Sequence, residues 1–210
     1  MNALILVDIQ NDFLPGGALA VPEGDAVIPI ANSLQPKFPI VVATQDWHPP
    51  NHGSFAANHA GKKAFAHIFL NGLPQTLWPV HCVQNTPGAE LATALNRQRI
   101  AKIFQKGTDP KIDSYSGFFD NGRRKSTGLS DWLKQKSVTA VFVCGLATDY
   151  CVKFTALDAI KEGFKTHLVE DASRGVNIRA GDSKGAVSAM QGMGVKIVQS
   201  AAILKWPNSP

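Results

Sequence analysis

The chain has 210 residues, 44% hydrophobic and 18% charged, which suits a single globular α/β domain over 1–210 and leaves no case for a low-complexity protein. A formal charge of +5 invites a nucleic-acid partner, but the basic cluster Arg123-Arg124-Lys125 stands beside Gly122 without a basic helix and reads as a solvated loop. No apolar run is long enough for a bilayer, Met1-Asn2-Ala3-Leu4 lacks the basic stretch of a signal peptide, and the three cysteines form no C-x-x-C pair, so a reducing cytoplasm is expected, with no membrane partner and no disulfide stapling.

Residues 3–9 form an apolar run that closes on Asp8-Ile9-Gln10, which predicts a strand. A short helical pattern over 26–34 follows, delayed by Pro29. Residues 40–44 are β-branched and apolar, ahead of Gln45-Asp46. The stretch 47–87 is rich in Pro, Gly, Asn and His and shows little periodicity; a structureless segment of that length in a compact domain is usually functional. Next come a helix over 91–97, a strand over 100–104 leading to Lys106-Gly107, and a helix over 129–135 begun by Ser130 and Asp131. The run 138–146 reads as a buried strand, and Val152, Phe154, Thr155, Leu157 and Ile160 then follow at helical spacing up to a stop at Gly163. A strand over 166–169, a helix over 183–191 and a strand over 195–198 complete the pattern. Such alternation predicts βαβ units and a parallel sheet with helices on both faces.

Cys151 stands out within this pattern. It lies where the strand ending at Gly145-Leu146 passes into a helix, after the N-cap oxygens of Thr148 and Asp149. A thiolate in the first helical turn meets free N–H groups and the positive end of the helix dipole, so its pKa is expected to fall, and the same N–H groups suit an oxyanion. In an open parallel sheet, ligands sit outside the carboxyl ends of the strands. Asp8, Asp46, Lys106 and Cys151 each end or follow a separate predicted strand. Any one of them has a dull explanation as a turn residue, a cap or a packed thiol; the convergence does not. Cys151 supplies a nucleophile, Asp8 a base and Lys106 a charge to hold the pair. Cys144, inside an apolar strand, reads as a small core residue.

A second constellation is Asp46-Trp47-His48-Pro49-Pro50-Asn51-His52 with Trp78-Pro79-Val80-His81-Cys82. One carboxylate and two or three imidazoles suit a divalent transition metal, and the D-x-H spacing lets Asp46 and His48 point one way from an extended segment. The plain alternative is histidines on exposed loops. His59, His67 and His167 have no partner at ligand spacing, and Cys82 reads as a packing residue.

Together these segments, with Lys106-Gly107, Gly145-Leu146-Ala147-Thr148-Asp149-Tyr150-Cys151-Val152, Asp171-Ala172-Ser173-Arg174-Gly175-Val176 and the opening Asp8-Ile9-Gln10-Asn11-Asp12-Phe13, resemble the nicotinamidases or pyrazinamidases among the isochorismatase-like cysteine hydrolases. The resemblance runs over nearly the whole chain. It implies a three-layer α/β/α sandwich around a largely parallel six-stranded sheet, and hydrolysis of nicotinamide to nicotinate and ammonia through a cysteine thioester, in NAD salvage. It further implies Asp8, Lys106 and Cys151 as the catalytic triad, and Asp46, His48 and His81 as ligands of one divalent metal, zinc first, with iron or manganese as alternatives. Whether His52 or a water completes that site is open. Phe13 and Trp78 match walls of the nicotinamide pocket, with Tyr115 as a candidate third wall. The N–H groups of Ala147 and Cys151 match the oxyanion hole, with a cis peptide before Ala147. Association into a homo-oligomer is compatible with the family.

Two other readings compete. A sister amidase on the same fold, acting on another small amide such as an N-carbamoyl compound, would keep Asp8, Lys106 and Cys151 but has no need of the Asp46-His48-His81 set. A metal-holding or thiol-sensing domain without turnover leaves Lys106 and the aromatic residues without work.

Overall fold

In the first strand Ala3, Ile5 and Val7 pack to one side and Leu4 and Leu6 to the other, and all five are fully buried. A strand with two buried faces belongs inside a sheet covered by helices on both sides, and that is the architecture of the computed structural model, which describes residues 1–209. The elements are β1 (Asn2–Val7), α1 (Val27–Leu34), β2 (Ile40–Asp46), β3 (His67–Leu70), β4 (Leu73–Thr76), β5 (Ile100–Lys106), α2 (Leu129–Gln135), β6 (Ala140–Leu146), α3 (Lys153–Lys161), β7 (Lys165–Arg174), α4 (Asp182–Gly192), β8 (Lys196–Val198) and α5 (Ser200–Leu204). Six strands pair in the order β5-β2-β1-β6-β7-β8, all parallel, and β3 with β4 makes a separate antiparallel hairpin.

Two cores flank the main sheet. Leu4, Leu6, Val41, Phe142 and Cys144 meet Val27, Ala31 and Leu34 of α1 and Ile203 of α5. On the other face Ala3, Ile5, Val7, Val141 and Val143 meet Leu129 and Leu133 of α2, Ala156 and Ala159 of α3, and Met190 of α4. This is the three-layer α/β/α sandwich. Each fully buried Leu or Ile contributes roughly 1.5–3 kcal/mol of transfer free energy. Among the described residues no helix is long and apolar enough to cross a membrane.

The structure departs from the sequence reading in places with identifiable causes. The helix expected over 91–97 is a set of turns. Leu91, Ala92 and Leu95 are buried as the periodicity implied, but the backbone bonds elsewhere. The Ala92 amide donates to the Ile9 carbonyl at 2.9 Å, and the Asn32 side chain takes both the Ala94 carbonyl (2.9 Å) and the Asn96 amide (2.8 Å). Tertiary partners thus outbid the local helix. The stretch 47–87 is not structureless, since it contains the β3–β4 hairpin. Its turn is Asn71-Gly72, both at positive φ (50° and 83°), the dipeptide that two-residue hairpins favour. The helix α5 was not anticipated, and β7 runs five residues beyond the strand expected over 166–169, as far as Arg174. Arg123 is less solvated than its cluster suggested: its guanidinium reaches Asp158 (2.5 Å) and Glu162 (3.0 Å) and lies over the Phe119 ring.

Gly145 pairs with Val7 where β6 runs beside β1, just before Asp8. It holds φ +119°, and a Cβ there would stand 2.8 Å from the Val7 nitrogen. Gly145→Ala should therefore destabilise the fold by about 2 kcal/mol or more. Urea denaturation reads the effect, and an unchanged midpoint would contradict this packing.

Candidate active site

Four neighbouring strands, β5, β2, β1 and β6, bring their carboxyl ends to one edge. Lys106 and Asp46 are register partners as the last residues of β5 and β2. Asp8 follows β1 with φ +48°, a left-handed turn that takes the chain out of the strand. Beyond β6 the Leu146–Ala147 peptide is cis, and residues Thr148–Val152 form one π-helical turn ahead of α3. Cys151 sits in that turn, not in the first turn of a regular helix. Asp149 does not cap it. Its two carboxylate oxygens accept the Val176 amide at 3.0 Å and the Asn177 amide at 2.7 Å, which ties the turn to the segment after β7.

The centre of the site is the Lys106 ammonium, only 2% exposed. Its Nζ lies 2.9 Å from Asp8 Oδ2, 2.5 Å from Asp46 Oδ1, 2.9 Å from the Ser114 carbonyl oxygen and 3.3 Å from Cys151 Sγ. Thr44 donates its hydroxyl to Asp8 Oδ1 at 2.6 Å. Asp8, Asp46 and Cys151 bring ligand atoms within 4.8 Å of one another, but the ammonium already occupies the middle of that group. A second cation there would meet strong repulsion.

The electrostatics follow from burial and these neighbours. Burial opposes charge on Lys106, yet Asp46 and Asp8 outweigh it and hold the ammonium well above the usual lysine range. Burial also works against Asp46, but Lys106 and then His48 keep its carboxyl well below the usual carboxylate range. Asp8 is raised, first by burial, with Lys106 opposing and Asp46 reinforcing. Cys151 is pushed well above the ordinary thiol value by burial, and the Asp8 and Asp46 carboxylates add to the effect against Lys106. The expected fall in its pKa is thus overturned for the resting site, because burial and two carboxylates outweigh one lysine and the turn's dipole.

Beside this cluster, Asp46 turns its other oxygen toward two imidazoles. Oδ2 lies 3.6 Å from His48 Nε2 and 3.9 Å from His81 Nε2. Zinc with ligands at about 2.0–2.2 Å would span donors roughly 3.4 Å apart in a tetrahedron. The outer nitrogens are fixed by carbonyls, His48 Nδ1 on Gly107 (2.9 Å) and His81 Nδ1 on Pro79 (2.8 Å). Such bonds select the tautomer that leaves Nε2 as a donor to metal. Burial and the neighbouring His48 bring His81 down to about 4, so its imidazole is neutral. Asp46 pulls His48 the other way, against burial. His52 Nε2 is buried without a partner, while its Nδ1 meets Ser54 Oγ at 2.7 Å, and His52 forms a further candidate ligand group with His48 and Asp113. These residues could hold a divalent metal ion.

The two groups open onto one small cavity of about 30 Å³. Phe13, Trp78, Tyr115, Ala147 and Cys151 line it together with Asp46, His48 and His81, and Asp8 and Lys106 lie beneath. Sequence reading missed Leu19, Asp113, Tyr150 and Val176 in that lining, and Thr44 behind Asp8. Thr44 carried a signal, as a hydroxyl closing the apolar run 40–43. Tyr150 and Val176 lay within the motifs already singled out. Asp113 carried none. Tyr150 packs edge-on against Trp78 (4.7 Å between ring centres) and Tyr115 (5.4 Å), and the Trp78 indole donates to the Tyr115 hydroxyl at 3.3 Å. His59, His67 and His167 stay outside the site: they meet Gly53, Thr76 and the Phe142 ring. Cys82 and Cys144 are buried free thiols.

Comparison with known proteins gives this geometry a context. A family model described as the isochorismatase domain matches residues 2–202. The nicotinamidase of Escherichia coli K12 is 53% identical over 200 residues, covering 93% of each chain. A solved Acinetobacter baumannii nicotinamidase/pyrazinamidase superposes with a TM-score of 0.93 at 48% identity, covering 96% of this chain and 97% of that one. A pyrazinamidase of Pyrococcus horikoshii, solved in complex with zinc, superposes with a TM-score of 0.77 at 43% identity, covering 94% and 98%.

The ion cluster has a measurable signature. Lys106→Met leaves two buried carboxylates uncompensated and should destabilise the metal-free protein by about 3–5 kcal/mol at neutral pH. Without the lysine the folded carboxyl pKa values rise above their unfolded values, so the folded state binds more protons and stability falls as pH rises. The deficit against the unsubstituted protein should accordingly be larger at pH 8 than at pH 5, as read by urea unfolding. An equal deficit at both would show that Lys106 is not the counter-charge of Asp8 and Asp46.

Proposed function

We propose that this chain, which belongs to the isochorismatase domain family, hydrolyses nicotinamide to nicotinate and ammonia, and pyrazinamide likewise, as a step in pyridine-nucleotide salvage. The observation that carries the reading is that Lys106, which pairs with Asp8, also meets Cys151 beside an aromatic cavity that Asp46, His48 and His81 line as well. The nicotinamidase relatives support the substrate. A bare cysteine amidase has no need of the second group.

In the proposed mechanism the resting thiol stays protonated. On attack its proton passes to Asp8, sulfur bonds to the carboxamide carbon, and the carbonyl π electrons move to oxygen. The oxyanion lies at the N–H groups of Ala147 and Cys151. As it collapses the C–N bond breaks, Asp8 gives its proton to nitrogen, and ammonia leaves a thioester. Asp8 then takes one proton from water, the oxygen attacks the thioester carbon, the C–S bond breaks, the sulfur recovers that proton from Asp8, and the product leaves as nicotinic acid, which gives the second proton to solvent to become nicotinate. Lys106 balances the negative charge that moves between Asp8 and Cys151. Phe13, Trp78 and Tyr115 sandwich the ring and exclude water. Asp46, His48 and His81, with the spare Nε2 of His52 beside them, would hold zinc, which when bound supplies an anchor for the ring nitrogen.

Ammonia release from nicotinamide is the direct test, on reduced protein before chelation, after it and after zinc is restored. Cys151→Ala should lower kcat by at least about 10³-fold while keeping its zinc. Activity near that of the unsubstituted protein would remove Cys151 as nucleophile. His48→Ala should lose zinc and raise KM. Unchanged zinc content in that variant would break the ligand assignment, and no release from zinc-loaded protein would redirect the search to other small amides.

A further inference from the structure

The segment leaving β1 does more than deliver Asp8. Gln10 is fully buried, and its carboxamide grips the backbone of Asp46 on both sides: Oε1 accepts the Asp46 amide at 2.8 Å, and Nε2 donates to the Asp46 carbonyl at 2.8 Å. The second Nε2 hydrogen goes to the Ala89 carbonyl at 2.7 Å. All the amide's polar atoms are used, which also fixes which end is oxygen. Two residues on, Asp12 Oδ2 accepts the Cys82 amide at 2.7 Å. Cys82 holds a left-handed φ of +47°, and its carbonyl accepts the His48 amide at 3.0 Å. That one residue therefore joins the backbone of His81, which precedes it, to the backbone of His48. Gly88 leaves the room this requires, because a Cβ there would overlap the Asp12 carboxylate.

We propose that Gln10 and Asp12 are positioning residues for the metal centre. From one turn, Gln10 sets the backbone of Asp46, and Asp12 sets the Cys82 peptide on which His81 and His48 both depend. Both side chains spend their polar atoms on backbone groups of Asp46, Ala89 and Cys82, so both act through the ligands. The proposal rests on the assignment of Asp46, His48 and His81 as ligands. Partners of this kind are worth about 10- to 100-fold in metal affinity.

The experiment is competition titration of zinc against a chromophoric chelator, with thermal unfolding of the metal-free proteins and the rate of Cys151 alkylation read in parallel. Gln10→Ala and Asp12→Ala should each weaken zinc about 10- to 100-fold. Asp12→Asn keeps an acceptor oxygen for the Cys82 amide and should bind within a few-fold of the unsubstituted protein. In the Asp12 variants alkylation of Cys151 should be unchanged, because Asp12 acts through the Cys82 peptide and not through Asp46. Zinc affinity within two-fold in both alanine variants would overturn the proposal. So would weakening that Asp12→Asn does not rescue, or that tracks a matching loss of metal-free stability, or that comes in Asp12→Ala with altered alkylation, since those mark a general structural role. If the alanine variants do not fold, Gln10→Glu and Asp12→Ser decide by the same titration. Failure of the ligand assignment is a separate result, seen as weak zinc binding by the unsubstituted protein or undiminished binding by His81→Ala.

Discussion

A lysine buried between two aspartates organises this molecule. Lys106 brings one positive charge into the interior, and Asp8 and Asp46 close on it from adjoining strands. Such a cluster is costly to desolvate and is stable only when each member is paired and hydrogen-bonded. The parallel sheet meets that condition by register: Asp46 and Lys106 are direct partners on β2 and β5, and Asp8 leaves the neighbouring β1. Lysine suits the position better than arginine, since a compact ammonium can divide its hydrogens among carboxylates, a carbonyl and a sulfur lying in different directions.

The same cluster explains how one site holds two kinds of chemistry without confusing them. Asp46 gives one oxygen to Lys106 and the other to the imidazoles, so it is at once the lysine's counter-ion and the link to the histidine side. Asp8 is kept apart from the histidines and is raised by burial and by Asp46, which favours a group that accepts and returns protons. The burial that keeps Cys151 a thiol at rest also removes competing solvent. Charge on sulfur is then called for only as the new bond forms.

Much of this was legible in the sequence. The alternation of apolar runs and helical patterns gave the layers, because a doubly buried strand and a helix stripe are periodic signals. The polar residues at the strand ends pointed to the site edge, because Asp8, Asp46 and Lys106 each stand where a predicted strand closes. What could not be read was whatever depends on long-range partners. Leu91, Ala92 and Leu95 look like a helix face until the Ile9 carbonyl and the Asn32 side chain take the backbone groups. The direction of the Cys151 shift was misjudged because the dipole argument is local, whereas burial and two carboxylates from other strands are not. Asp113 reaches the cavity through a loop without periodicity, and no local pattern marks it.

The position of β5 has a further consequence. It is an outermost strand, hydrogen-bonded on one side only, and of its seven residues just Phe104 and Lys106 are buried. Strands of that kind open at lower free energy than the interior of a sheet. At this margin Phe104 is packed in one of the two cores and Lys106 in the ion cluster, so withdrawing the ammonium would leave Asp8 and Asp46 without their counter-charge. The ion pairs of the site thus fasten an edge that backbone pairing holds from one side.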